Sequence, residues 1–379
     1  MRATLALSAL LVACGGAGGT GPTTGPVEDP AALTEQAEAA WAELDPEAAA
    51  ELAERAIAAG GGTVALEIAG RAHLAMGHDD AALEALGPAT SPHLRRLRAR
   101  AHLGRGDFAA AAAELEGDDD PWAESVRPAL AAVGGRPAYQ VRGDAAELAM
   151  EALPLPVVRV RVDAVETLAV IATSAELTVL DPSVRAAPGV IDELGLGGVR
   201  VGVVPHTVRD LGALREGLGV PIGAVLGLDL LTRLHARIDG PGATLGLSST
   251  ASAPSAGATV AAYSTPTGSF LAVAGAVAGQ PVWLTVDSTG VYPVALVPGA
   301  DEALGLEDAG WEAADGVDVA VVPVSVGAMR IEGLPVVRGV LDEGHARAVG
   351  APVAGALGWA LLAQLVTRFD PERRQLVFE

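Results

Sequence analysis

The chain of 379 residues contains no lysine, no asparagine and one cysteine, and only 3% of it is aromatic. Without lysine, Schiff-base chemistry is excluded, and so is a phosphate loop built around an ε-ammonium. Every one of the 25 basic side chains is therefore arginine, and 47 acidic ones outweigh them to a net charge of −22. Such a field repels phosphates and anionic lipid heads, so no nucleic acid partner is expected. A single thiol, Cys14, cannot form an internal disulfide, so an oxidising compartment would leave no cysteine trace. There is no Gly-x-Ser-x-Gly elbow and no His-Glu-x-x-His. His78, His93, His206, His235 and His345 are scattered, and His73 and His102 occupy one repeat position, so neither metal nor cofactor is expected. What the chain does have is 50% apolar content, enough for two or three domains with cores of Ala, Val and Leu.

At the start, Arg2 precedes an apolar run from Leu5 to Ala13 that is too short to span a bilayer as a helix. It ends Leu11-Val-Ala-Cys14, which resembles the lipobox of bacterial lipoproteins, whose cysteine becomes the lipidated first residue. Residues 1–13 then read as a signal peptide and the Gly/Thr/Pro-rich 14–30 as a tether. The resemblance implies a lipid-anchored, periplasm-facing envelope protein, and Gly15 after the cysteine points to the outer membrane. An ordinary secretory signal is the alternative.

Residues 31–133 are Ala-rich with helical spacing, broken at Gly60-Gly-Gly62, Gly87-Pro88 and 117–121. Arg71-Ala-His-Leu-Ala-Met-Gly77 recurs as Arg100-Ala-His-Leu-Gly-Arg-Gly106, 29 residues later (100 − 71 = 29). This is similar to tetratricopeptide helix hairpins, contracted from their period of about 34. Such a domain either binds peptide on a concave face or is a plain spacer.

From Tyr139 the apolar period changes to two, as in Val157-Val-Arg-Val-Arg-Val162. Here the chain repeats itself. Leu226-Gly-Leu-Asp-Leu-Leu231, running on to Asp239, aligns without a gap on Leu357-Gly-Trp-Ala-Leu-Leu362, running on to Asp370, at an offset of 131 (358 − 227 = 131). Gly197 to Pro205 answers Gly327 to Pro335 at an offset of 130 (327 − 197 = 130). The stretch Trp283-Leu-Thr-Val-Asp-Ser-Thr-Gly-Val-Tyr-Pro-Val294 has a weaker copy at Leu168 to Leu180, which sets Ala172 against Asp287, Thr173 against Ser288 and Ser174 against Thr289. A lobe over 139–248, a linker over 249–259 and a second lobe over 260–379 follow.

An apolar strand ending in an acidic-hydroxyl turn, followed later by Leu-Gly-x-x-Leu-Leu, resembles the retropepsin-like aspartic peptidases over about two thirds of the chain. The implied fold is multidomain: an α-helical repeat domain, then a mainly-β acid-protease fold of two retropepsin-like lobes. In that family each lobe gives one Asp, the two carboxylates share a water, and one acts as base while the other acts as acid. The resemblance makes Asp287 the only surviving catalytic candidate, and Thr173 and Ser288 the hydroxyls that hydrogen-bond across to the opposite turn. Ala172, Ser174 and Thr289 are the degenerate positions. Residues that join two lobes are kept, and residues that split a peptide bond are lost. Only 181–194 separates the turn of lobe 1 from its paired strands, so a covering flap is expected from lobe 2 alone, around Gly310 to Asp318. The expected function is a degenerate peptidase that binds a peptide or protein partner in the inter-lobe cleft or on the helical repeats. The alternatives are an active endopeptidase pairing Asp287 with Asp287 of a second chain in a homodimer, and a structural envelope scaffold.

Overall fold

Four times the chain sets a side-chain acceptor before a proline, at Asp29-Pro30, Asp45-Pro46, Ser91-Pro92 and Asp120-Pro121, and each pair starts a helix. The acceptor takes a first-turn N–H, such as Ala48 N to Asp45 Oδ1 at 2.8 Å, while the proline costs no hydrogen bond at the first helical position. The computed structural model describes residues 28–379 except positions 44, 89, 252–256, 266, 269 and 315. The expected signal peptide, Cys14 and nearly all of the tether lie outside the described residues.

The helices are α1 (Pro30–Ala42), α2 (Pro46–Ala58), α3 (Thr63–Met76), α4 (Asp79–Leu86), α5 (Pro92–Gly104), α6 (Phe108–Glu114) and α7 (Pro121–Val133). Each packs on the next through small side chains, among them Ala37, Ala49, Ala53, Ala69 and Ala72, which let helix axes come close. Gly77 and Gly106, the last residues of the recurring heptapeptide, follow α3 and α5 with left-handed φ of 69° and 79°. Among the described residues no helix is long and apolar enough to cross a membrane.

After β1 (Gln140–Arg142) and β2 (Ala145–Ala149), lobe 1 runs β3 (Val157–Val162), β4 (Val165–Ile171), β5 (Thr178–Leu180), β6 (Gly189–Leu196), β7 (Val199–Val208), α8 (Gly212–Leu218), β8 (Ile222–Leu226), α9 (Leu228–Leu231), β9 (Arg237–Asp239) and β10 (Thr244–Ser248). Lobe 2 runs β11 (Ala258–Ser264), β12 (Leu271–Val277), β13 (Gln280–Asp287), β14 (Val294–Leu296), α10 (Ala300–Ala303), β15 (Glu312–Ala314), β16 (Val317–Val326), β17 (Met329–Arg338), α11 (Glu343–Val349), β18 (Val353–Gly358), α12 (Trp359–Leu362), β19 (Val366–Asp370) and β20 (Gln375–Phe378). The order expected from sequence, helices followed by two β-rich lobes, is the observed one. β11 begins at Ala258, two residues inside the segment read as linker.

The lobes share one pairing scheme. In lobe 1, β8 lies parallel to β4 and antiparallel to β5, and β5 lies parallel to β7. In lobe 2, β18 lies parallel to β13 and antiparallel to β14, and β14 lies parallel to β17. Parallel neighbours buried on both faces need continuous apolar runs, and Ile222–Leu226 is buried at every position.

Between the lobes, β9 and β19 pair antiparallel with Arg237 opposite Arg368. These are equivalent residues (368 − 237 = 131), so the local symmetry axis passes between them, which makes the contact isologous. β10 and β2 extend this shared sheet on one side, and β20 and β11 on the other.

The lobes also differ, most visibly in a hairpin. β15 and β16 form a hairpin in which Glu312 faces Val319 and Ala314 faces Val317. Among the described residues lobe 1 has no strand between β5 and β6. Val319, at the base of this hairpin, packs against Tyr292 and Val337, while β15 itself is exposed.

The helices dock on both lobes. Leu103, Phe108, Leu130 and Val133 form one core with Leu177 of lobe 1, covered by Val190 and Val203. On lobe 2, Arg374 Nη2 donates to the Ala75 carbonyl at 3.3 Å, and Trp41 lies 6.4 Å from Trp283.

Candidate functional site

The two turns meet at the symmetry axis through four reciprocal hydrogen bonds. Thr173 Oγ1 donates to the Val286 carbonyl at 2.7 Å and accepts the Ser288 N–H at 2.9 Å. Ser288 Oγ donates to the Ile171 carbonyl at 2.7 Å and accepts the Thr173 N–H at 3.0 Å. Both hydroxyl residues are fully buried, where an unpaired backbone group is expensive, so each hydroxyl is required by the opposite lobe. A third link adds to these: Ser174 Oγ lies 3.1 Å from Thr289 Oγ1. The two positions where the resemblance implies glycine thus carry hydroxyls that bond to one another.

Asp287 stands at the end of β13, buried to 8% exposure. Its Oδ1 accepts from Thr289 N at 3.0 Å and from Thr289 Oγ1 at 2.6 Å, and its Oδ2 accepts from the Tyr292 hydroxyl at 2.9 Å. Burial, and then the adjacent carboxylate, push the Tyr292 phenol well above its ordinary pKa, so it stays a donor. All three donors to Asp287 come from its own lobe. At the equivalent place in lobe 1, Ala172 is buried, its N–H bonded to the Leu226 carbonyl at 2.9 Å, and it offers only a methyl group.

The Leu-Gly segments lie directly behind the turns. Leu228 N donates to the Ala175 carbonyl at 2.7 Å, and at the matching position Trp359 N donates to the Gly290 carbonyl at 2.6 Å. A Cβ on Gly227 would come within 2.8 Å of the Ala175 and Leu177 carbonyl oxygens, and one on Gly358 would overlap the Tyr292 carbonyl. Glycine is needed in both motifs for this backbone approach.

Tyr292 and His345 escaped sequence reasoning. Tyr292 sits inside the organising stretch, but its spacing gives no sign that it reaches back to Asp287. His345, read as scattered, has Nε2 3.4 Å from Thr285 Oγ1 and packs edge-on against Phe270 at 5.0 Å. Burial lowers its pKa, while the charges of Asp287 and Asp342 pull it upward. Among the described residues no group of three His, Cys, Asp or Glu side chains is arranged to hold a metal. His73 instead bonds Glu54 of α2 at 2.7 Å.

No protein-family model and no curated protein sequence matches this chain. Among solved structures it is similar to a retropepsin-like aspartic protease from Rickettsia conorii, at 18% identity and a TM-score of 0.21, over 29% of this chain and 81% of that one. It is also similar to the aspartic proteinase from Irpex lacteus, at 12% identity and a TM-score of 0.41, over 62% of this chain and 96% of that one. At such identities the likeness is one of fold and carries no chemistry.

Proposed function

We propose that this chain is an aspartic-peptidase-like protein that no longer hydrolyses peptide bonds and instead holds an extended peptide or protein segment between its lobes. The observation that carries the reading is the asymmetry at the axis. The cross-lobe hydroxyl bonds are complete, yet Ala172, the position equivalent to Asp287 in lobe 1, has no carboxyl group. Peptide hydrolysis by this chemistry needs one carboxylate to take a proton from water while a second, protonated one polarises the carbonyl. Asp287 alone cannot fill both roles, and Thr289 and Tyr292 already occupy both of its oxygens.

The active homodimer is the weaker reading. Bringing Asp287 of two chains together would place the lobe 2 turn where it now meets lobe 1. That would break the Thr173–Ser288 bonds and the β9–β19 pairing. A scaffold role without a ligand is the remaining alternative. The β15–β16 hairpin favours binding, because an exposed hairpin rooted on Val319 beside Tyr292 is suited to folding over a segment laid along the turns. The helix pairs α3–α4 and α5–α6 are read as contracted tetratricopeptide-like repeats. Lipidation at Cys14 would hold the whole in the bacterial envelope, facing the periplasm, with Gly15 favouring the outer membrane.

The test uses the purified full chain and a broad peptide library at acid and neutral pH. No pepstatin-sensitive cleavage is expected, while fluorescent extended peptides should bind by polarisation, more weakly when residues 312–318 are replaced by a short glycine linker. Pepstatin-inhibited turnover that disappears in Asp287→Asn would overturn the proposal.

A further inference from the structure

A cavity of about 300 Å³ lies away from Asp287, where the helices, lobe 1 and lobe 2 meet. All three bodies bring charge to it: Asp79 and Arg100 from the helices, Glu176 and Asp229 from lobe 1, and Arg374 from the turn between β19 and β20. Glycines make room for these groups. A Cβ on Gly104 would overlap the Asp79 carboxylate, one on Gly77 the Arg374 guanidinium, and one on Gly268 the Glu176 carboxylate. The rest of the wall mixes apolar Leu74, Leu103, Phe108 and Leu271 with polar Thr232, Ser264 and Thr265 and with the charged Arg233 and Asp370.

Two of the acids are satisfied from within. Glu176 accepts from Trp122 Nε1 at 2.5 Å, and Asp229 accepts from the Tyr139 hydroxyl at 3.0 Å and Thr178 Oγ1 at 3.2 Å. Asp79 and Arg374 are different. Each feels the other's charge, yet no hydrogen bond or ion pair joins them. Nη2 of Arg374 is held by the Ala75 carbonyl and Ser264 Oγ, whereas its Nε is buried with no partner. Arg100, stacked 3.8 Å over the Trp122 ring, has a buried Nε with no hydrogen bond but is paired by charge with Glu176, 3.8 Å away. The cavity thus brings together the half-buried Asp79 carboxylate, which has no hydrogen-bond donor among the described residues, and the Arg374 guanidinium, whose Nε has no acceptor. A buried guanidinium N–H without an acceptor, as at Arg374 Nε, is rare.

We propose that this junction is a binding site for a small zwitterion of free amino acid or dipeptide size, with its carboxylate on Arg374 and its ammonium on Asp79. The volume sits at the small end of ligand pockets, which matches such a molecule. A guanidinium with a free N–H edge recognises carboxylate directionally, and a half-buried carboxylate recognises ammonium by charge. Without ligand, burial pushes the Asp79 carboxyl up to about 6, opposed by Arg374, Arg105 and Arg233 and assisted by Asp80. An ammonium beside it restores the charged form, so binding releases a proton near that pH and tightens as pH rises through it. The site lies apart from the inter-lobe cleft, so its occupancy and the peptidase-like reading stand or fall separately.

The experiment is calorimetric and thermal-shift titration of the full chain with dialanine and dileucine, alongside their N-acetyl and C-amide forms. The free dipeptides should bind and raise the melting temperature, each capped form should bind about tenfold or more weakly, and Asp79→Asn should lose the same factor and the proton release. The capped ligands act on the unaltered protein, so they remain decisive if a variant folds poorly. No binding by either free dipeptide, or equal binding by the capped forms, would overturn the proposal.

Discussion

Ser288→Ala is the sharpest probe of how the lobes are joined. The substitution removes one oxygen and hardly changes volume, but that oxygen serves two backbone groups of the opposite lobe. The Thr173 N–H loses its acceptor, and the Ile171 carbonyl loses a donor at 2.7 Å. Ser288 and Thr173 are both 0% exposed, so water cannot take over without opening the interface. An orphaned buried group costs roughly 1–3 kcal/mol, so two should cost about 3 kcal/mol, a large part of a typical stability of about 5–15 kcal/mol. Thr173→Val orphans the equivalent pair, the Ser288 N–H and the Val286 carbonyl, and should cost the same within about 1 kcal/mol. Ser174→Ala removes only a half-buried hydroxyl contact and should cost less than about 1 kcal/mol. Urea unfolding gives the ordering, and native-state hydrogen exchange at the Thr173 amide gives the local effect, which should be fast exchange in Ser288→Ala alone of the two serine variants. If Ser288→Ala were no worse than Ser174→Ala, the turns would be wet and the grip would not hold the lobes.

Gly358→Ala should destabilise more than Gly227→Ala, because its Cβ overlaps the Tyr292 carbonyl whereas the Gly227 Cβ stops 2.8 Å from its nearest atoms; equal melting temperatures would contradict this. Asp229 links stability to pH: burial pushes its carboxyl up to about 6 from an unfolded value near 3.8, against hydrogen bonds from Tyr139 and Thr178 and the charge of Arg233. The folded state then holds the proton more tightly, so this stabilisation is present below 3.8 and lost as pH rises through 6, by about 3 kcal/mol at most. Asp229→Asn should flatten the fall in melting temperature across that window, and an unchanged slope would contradict the assignment. For catalysis, Ala172→Asp alone should stay inactive, since Thr289 still occupies Asp287 Oδ1 and Ser174 still holds Thr289; turnover is expected only when Ser174→Gly and Thr289→Gly are added. Native membrane-associated protein should show Cys14 lipidated by mass spectrometry, and an unmodified thiol there would refute the anchor.

The duplication was legible because it rests on backbone requirements. Gly227 and Gly358 recur where no Cβ fits, and Arg237 and Arg368 recur because equivalent strands pair across the axis. An acceptor before proline marks four helix starts as a local signal of the same kind, one that helical spacing alone passes over. The partners of Asp287 were not. Tyr292 reaches it through the course of the turn, and His345 comes near it through the packing of Phe270 and Thr285, neither of which leaves a periodicity in sequence. The charged junction was hidden more completely. Asp79, Arg100, Glu176 and Arg374 are separated by up to 295 residues (374 − 79 = 295) and converge only once helices and lobes have docked.

That docking also separates the fates of the two turns. Two residues after Ser174, Glu176 is bonded to Trp122 of α7, and Leu177 is buried in the helical core with Leu103 and Phe108. The lobe 1 turn is therefore fastened on one side to Ser288 and on the other to the helices, with no polar side chain at Ala172 between them. In the lobe 2 turn the next residues are Gly290, exposed Val291 and then Tyr292, which folds back on Asp287. A carboxylate at 172 would lie in a turn held at both ends, and any carboxylate brought close to Asp287 would disfavour joint ionisation. With alanine there the cross-lobe bonds are intact, so the architecture of the two lobes does not depend on a second acid.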